Sequence, residues 1–187
     1  MAKPKTIQEG DVVDLLIHQH SQIRDLFDEV ENTVGDDRKD AFDRLVRLLA
    51  VHETAEEEII HPLARRTLPG GEENVDDRLE EERKAKEKLA RIKSMDPQSR
   101  QFLTELDELR IAVLTHARAE ERYEFLRIRD EISDAHRRGL AAAMRLAEAI
   151  APTHPHPGVE SATKNLLAGP VAALADRVRD LFRRTRS

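Results

Sequence analysis

Apolar residues recur along the chain at alternating three- and four-residue steps, which is the signature of helices with one buried face. Val13, Leu16, His20, Ile23, Phe27 and Val30 predict a first helix, from Gly10 or Asp11 to about Thr33. Phe42, Leu45, Leu49, His52, Glu56, Ile59 and Leu63 predict a second, capped by Asp36 or Asp37 and running to about Arg66. A third, from Asn74 to near Lys93, is the most charged, with Val75, Leu79, Glu82, Leu89 and Ile92 as its best stripe. A fourth starts with Asp96 as N-cap and Pro97 at the first helical position and runs to about Arg129. Its stripe is Phe102, Leu106, Leu109, Val113, His116, Glu120 and Tyr123. An alanine-rich fifth helix is expected over 133–150.

The fold class that follows is all-α: an up-down-up-down four-helix bundle with an additional C-terminal helix and a helical tail. Residues 1–150 are expected to form the bundle domain, with its core helices over about 11–130, and 151–187 a Pro/His-containing linker and amphipathic tail. The fifth helix and the tail would pack outside the bundle or against another chain, as in a homodimer.

Composition agrees with a helical reading. Of 187 residues, 36% are charged and 3% aromatic, with only seven glycines. A net charge of −6 gives no general electrostatic reason to expect nucleic acid or an anionic membrane. The absence of cysteine rules out disulfides, thiolate metal sites and thiol catalysis. Neither a secretory signal nor a long uncharged apolar run is visible, so the expected location is cytoplasmic.

The chemistry lies in polar residues that occupy stripe positions. His20, His52, Glu56, Glu82, His116 and Glu120 stand where the pattern calls for Leu or Ile. Two of the pairs repeat one motif, His52-Glu53-Thr54-Ala55-Glu56-Glu57 and His116-Ala117-Arg118-Ala119-Glu120-Glu121. Residues four apart on a helix lie about 40° apart, so each His and Glu projects from one face. Carboxylates buried without a partner cost several kcal/mol each, and three in one core repel one another. Metal cations offset both penalties, and helix-bundle cores build such sites from facing helices. Mixed imidazole and carboxylate donors suit a pair of iron or manganese ions better than one tetrahedral zinc.

At these residues the sequence resembles the hemerythrin-like (HHE cation-binding) family, over roughly residues 11–130. The resemblance rests on His20, His52-x-x-x-Glu56 and His116-x-x-x-Glu120, with Ile23, Phe27 and the His61-Pro62 pair in the flanks. The tail around Pro152-Thr153-His154-Pro155-His156-Pro157 resembles those of actinobacterial members. The family implies a four-helix bundle around two iron ions, as an oxo- or hydroxo-bridged centre that reacts with O2, hydrogen peroxide or nitric oxide. By residue, it implies ligation by His20, His52 and His116, with Glu56 and Glu120 bridging.

The chain departs from the family on the third helix, where a histidine is expected and none occurs between His61 and His116. Glu82 takes that place, or Glu81 if the register slips by one. A harder, anionic ligand favours the ferric state, which turns the expectation from reversible O2 carriage towards peroxide or NO chemistry, or oxidation of iron itself. The function expected is a di-iron protein that binds and reacts with small oxidants in oxidative or nitrosative stress, catalase- or peroxidase-like if it turns over. The alternatives are a sensing module that signals through its tail, and iron or O2 binding without turnover. The sequence does not name an electron donor. His61, about 180° from His52 round a regular helix, is expected beside the ligands or in helix packing. Tyr123, one turn beyond Glu120 on the stripe, is expected near a bound oxygen species. Glu53 is expected to be a solvated or neighbouring carboxylate, with a further ligand as the alternative, and His154 and His156 to be exposed.

Overall fold

The computed structural model describes residues 10–150. The expected tail helix, the Pro/His linker with His154 and His156, and the first nine residues lie outside them. Four long helical rods form the bundle: α1 (Val12–Asn32); α2 (Gly35–Ala55), which runs on through a π-helical turn, Glu56–Ile60, into α3 (His61–Thr67); α4 (Gly71–Ile92); and α5 (Arg100–Glu120), which runs on through a second π-helical turn, Glu121–Phe125, into α6 (Leu126–Glu131). Helix α7 (Asp134–Ile150) follows. The described residues are all-α, as the periodicity predicts.

Local chemistry sets the ends. Asp11 caps α1, its side chain accepting a hydrogen bond from the Val13 amide at 2.9 Å. Gly35 opens α2 at φ 63°, a conformation that costs other residues a Cβ clash. Ser99, rather than Asp96, caps α5, accepting from the Phe102 amide at 3.1 Å. Asp96 instead accepts from the Gln98 amide within the preceding turn, so α5 starts at Arg100, three residues later than Pro97 suggests. Between α3 and α4 the chain packs so closely that a Cβ on Gly71 would stand 2.4 Å from the Ala64 carbonyl oxygen.

One end of the bundle is tied by two side chains. Gln98 donates to the Gly35 carbonyl and accepts from its amide, and the buried Arg38 donates to the carbonyls of Val30 and Pro97. Both link the α1–α2 turn to the α4–α5 turn.

Two large apolar clusters fill most of the core, beside a small third of Ala64, Leu68 and Val75. One gathers Ile23, Phe27, Phe42, Leu45, Leu49, Leu89, Phe102, Leu106 and Leu109 at the tied end. The other gathers Val12, Leu16, Ile60, Leu63, Phe125, Ile128 and, from α7, Leu140 and Met144. Helix α7 therefore packs on this chain's own bundle, with Arg137 donating to Asp11 at 2.6 Å. On α1, α2 and α5 the polar stripe residues fall between the two clusters, so the bundle is apolar, polar and apolar along its axis.

Candidate metal centre

The polar middle layer collects residues from all four rods. His20, His52, Glu56 and Glu120 form one group with converging donor atoms, and Glu56, Glu82 and His116 form a second, each tight enough to hold one metal ion. Glu56 belongs to both. All six side chains are buried except His116, which is partly so.

The three imidazoles are oriented alike. His52 Nδ1 donates to Gln19 Oε1 at 2.8 Å, His20 Nδ1 to Glu121 Oε1 at 2.8 Å, and His116 Nδ1 to Glu81 Oε2 at 2.9 Å. Each outer bond fixes the proton on Nδ1 and leaves Nε2 facing inward, the arrangement that presents a lone pair to a metal. The inward atoms converge: His20 Nε2 lies 3.0 Å from His52 Nε2 and 3.5 Å from Glu120. His52 Nε2 is 3.3 Å from Glu56, and His116 Nε2 is 3.4 Å from Glu120.

The carboxylates facing them lack donors. Both oxygens of Glu56, both of Glu120 and Oε2 of Glu82 are buried with no hydrogen bond. Burial and the neighbouring Glu120 drive the Glu56 carboxyl well above the ordinary range. Burial also pushes Glu120 up, but the imidazoles of His116, His20 and His52 outweigh it and hold the group down to about 2. Burial, with His20 close by, lowers His52 to about 3. At His116 burial again disfavours charge, but Glu120, Glu81 and Glu82 raise it to about 9. Five orphaned oxygens of hard, anionic type beside inward-facing imidazoles are a donor set that fits iron or manganese.

The two π-helical turns decide which neighbours join this layer. The first begins at Glu56, the second residue of its His-x-x-x-Glu pair, and the second directly after Glu120, and each adds one residue to a turn. In the first, the His61 amide bonds the Glu56 carbonyl, five residues back. His61 therefore does not lie opposite His52. It turns inward, is 2% exposed, and its Nε2 sits 2.6 Å from Glu82 Oε1. That contact sets His61 beside Glu82, by a register the sequence does not show.

In the second turn the extra residue corrects the expectation for Tyr123. It faces solvent, 59% exposed, with Arg122 over its ring, while Glu124 and Phe125 turn inward in its place. Phe125 stacks on His20 at 5.6 Å between ring centres. Glu124 stands 3.5 Å from Arg78 Nε and is raised to about 7, mainly by burial and then by Glu120.

Glu53 is buried rather than solvated, raised to about 7 chiefly by burial, with Lys86 Nζ at 3.6 Å. Lys86 also pairs with Glu57 and approaches Glu82 at 3.9 Å. Glu81, the alternative to Glu82, is exposed and bonds the outer nitrogen of His116. The residues that sequence reasoning missed are Gln19, Glu121 and Glu124. Only Glu121 left a signal, as the second Glu of a doubled pair found in both motifs.

The sequence profile described as "Hemerythrin HHE cation binding domain" matches residues 11–128. The chain belongs to this family. A DNA nickase from Nostoc sp. is 28% identical over 128 residues, which cover 67% of this chain and 36% of the nickase. The chain thus spans about a third of that relative's length. No solved structure matches the chain. The family carries a cation-binding domain of the kind the polar layer describes, and among the described residues no helix is long and apolar enough to cross a membrane.

Proposed function

We propose that the middle layer holds two iron ions and that the protein binds and reacts with small oxidants, hydrogen peroxide foremost, with O2 and nitric oxide as further ligands. The observation that carries this reading is the common orientation of three imidazoles, each anchored outward through Nδ1 and aimed inward through Nε2 at carboxylates without donors. His20, His52, Glu56 and Glu120 would hold one ion, and Glu56, Glu82 and His116 the other, with Glu56 and Glu120 shared. Bound iron would supply Lewis acidity and one-electron chemistry.

The chain's own residues set the conditions for that chemistry. Glu82 in place of an imidazole adds negative charge, and the His61 bond to its Oε1 fixes which oxygen remains free. Glu53 and Glu124, with carboxyls near 7, hold protons close to the layer at neutral pH. Phe125 and the cluster behind it close the layer on the α7 side, while a cleft lined by residues of all four rods leaves a way in. The proposed setting is cytoplasmic defence against oxidative or nitrosative stress.

The test is loading with ferrous iron, followed by peroxide and NO challenge. Peroxide loss that disappears in His52→Ala and Glu120→Ala is the expected result. An iron-replete chain inert to both peroxide and NO would overturn the reading.

A further inference from the structure

The cleft that reaches the polar layer is a cavity of about 310 Å³, open at its rim. One water occupies roughly 30 Å³ in the liquid, so peroxide, O2 or NO would fill only a small part of it. Its floor borders the polar layer at His52, Glu56 and His116, of which His116 alone is only partly buried. The walls differ in kind: Ile23, Leu49, Ala85, Leu109 and Val113 come from all four rods and are apolar.

Above the floor, charge lies at the rim, where the lysines are engaged. Lys84 lies 3.3 Å from Glu80, while Lys88 pairs with Glu108 and approaches Glu105 at 3.6 Å. The mouth therefore makes no particular demand for an anion. An occupant gains most by placing an apolar body against the walls and a single polar end on the floor.

We propose that this cavity binds a small neutral organic molecule with one oxygen end and a compact alkyl or aryl body, of the class of alkyl hydroperoxides. The choice of hydroperoxide rests on the peroxide reading above. The pocket itself rests on the cavity's size and on the division between polar floor and apolar wall. Val113 and Ala85, facing the cavity from α5 and α4, set the room available to the body.

Two unreactive alcohols, tert-butanol and 2-phenylpropan-2-ol, test the pocket on the full chain with and without metal, read by methyl NMR. Saturable shifts at Ile23, Leu49, Leu109 and Val113 are expected, with the larger alcohol binding at least about tenfold tighter because it buries more apolar area. Val113→Phe and Ala85→Leu, chosen from different helices so that one folding failure is not decisive, should each abolish the shifts. Absence of saturable shifts, or shifts that persist in both variants, would overturn the proposal. Hydrogen peroxide loss by the iron-loaded wild type tests the underlying reading separately. Alcohol binding by a chain inert to peroxide would overturn hydroperoxide as the ligand class, and peroxide loss without alcohol binding would overturn the pocket alone.

Discussion

His20 Nε2 and His52 Nε2 face each other at 3.0 Å inside a layer from which both outer nitrogens are bonded away. Two imidazole lone pairs at that distance repel unless a proton or a cation lies between or beside them. The layer thus carries an electrostatic demand that does not depend on which reaction follows.

The outer bonds that aim these rings should matter more to metal than to folding. Gln19→Leu and Glu121→Gln are expected to weaken metal affinity by about 10–100-fold, the usual effect of losing a residue that orients a ligand. Competition with a chelator measures this. Unchanged affinity in both variants would show that the rings hold their orientation without these partners.

The metal-free chain should lose stability as pH rises. His116, raised from 6.5 to about 9, contributes fully below pH 6.5, and its contribution is lost as pH climbs through 9. Glu53 and Glu124, raised from 4.5 to about 7, are buried in neutral form at low pH and become costly as pH rises through 7. His52, held near 3, opposes these only below pH 6.5. The melting temperature of the metal-free chain is therefore expected to fall by about 5–10 °C between pH 6.5 and 9. Added metal should stabilise more strongly over the same window, because its ligands must shed protons. Calorimetry across pH, with and without ferrous iron, checks both slopes.

The second π-helical turn makes a prediction opposite to that of a regular helix. Phe125→Ala removes a fully buried ring stacked on His20 and should cost about 3–5 kcal/mol. Tyr123→Ala, at an exposed site, should fall within about 0.5 kcal/mol of wild type. Denaturant unfolding of the two variants decides which residue lies inside.

That contrast also marks how far the sequence could be read. The stripes on the four rods, and the place of His20, His52, Glu56, Glu82, His116 and Glu120 on them, follow from a 3.6-residue period. On α5 that period fails after Glu120, while beyond Glu56 the stripe positions Ile59 and Leu63 stay buried. Beyond Glu120 the stripe position after Tyr123 is Arg127, whereas Phe125, Ile128 and Ile132 start a new apolar series five residues past Glu120. A phase break of that size is the trace a π-helical turn leaves, and it accounts for Tyr123. With Ile59 and Leu63 still buried after Glu56, the inward turn of His61 leaves no such trace. Gln19 was not legible, because a polar residue beside a stripe histidine has the same pattern whether it bonds the ring of another helix or water.

The central claim is a two-metal layer built from six side chains, and metal stoichiometry tests it most directly. After anaerobic loading with ferrous iron and removal of excess, the wild-type chain is expected to hold two irons. Glu82→Ala should hold about one, and Glu56→Ala, which removes the residue common to both groups, neither firmly. A wild-type chain that binds less than one iron, or variants that bind as many as wild type, would contradict the account.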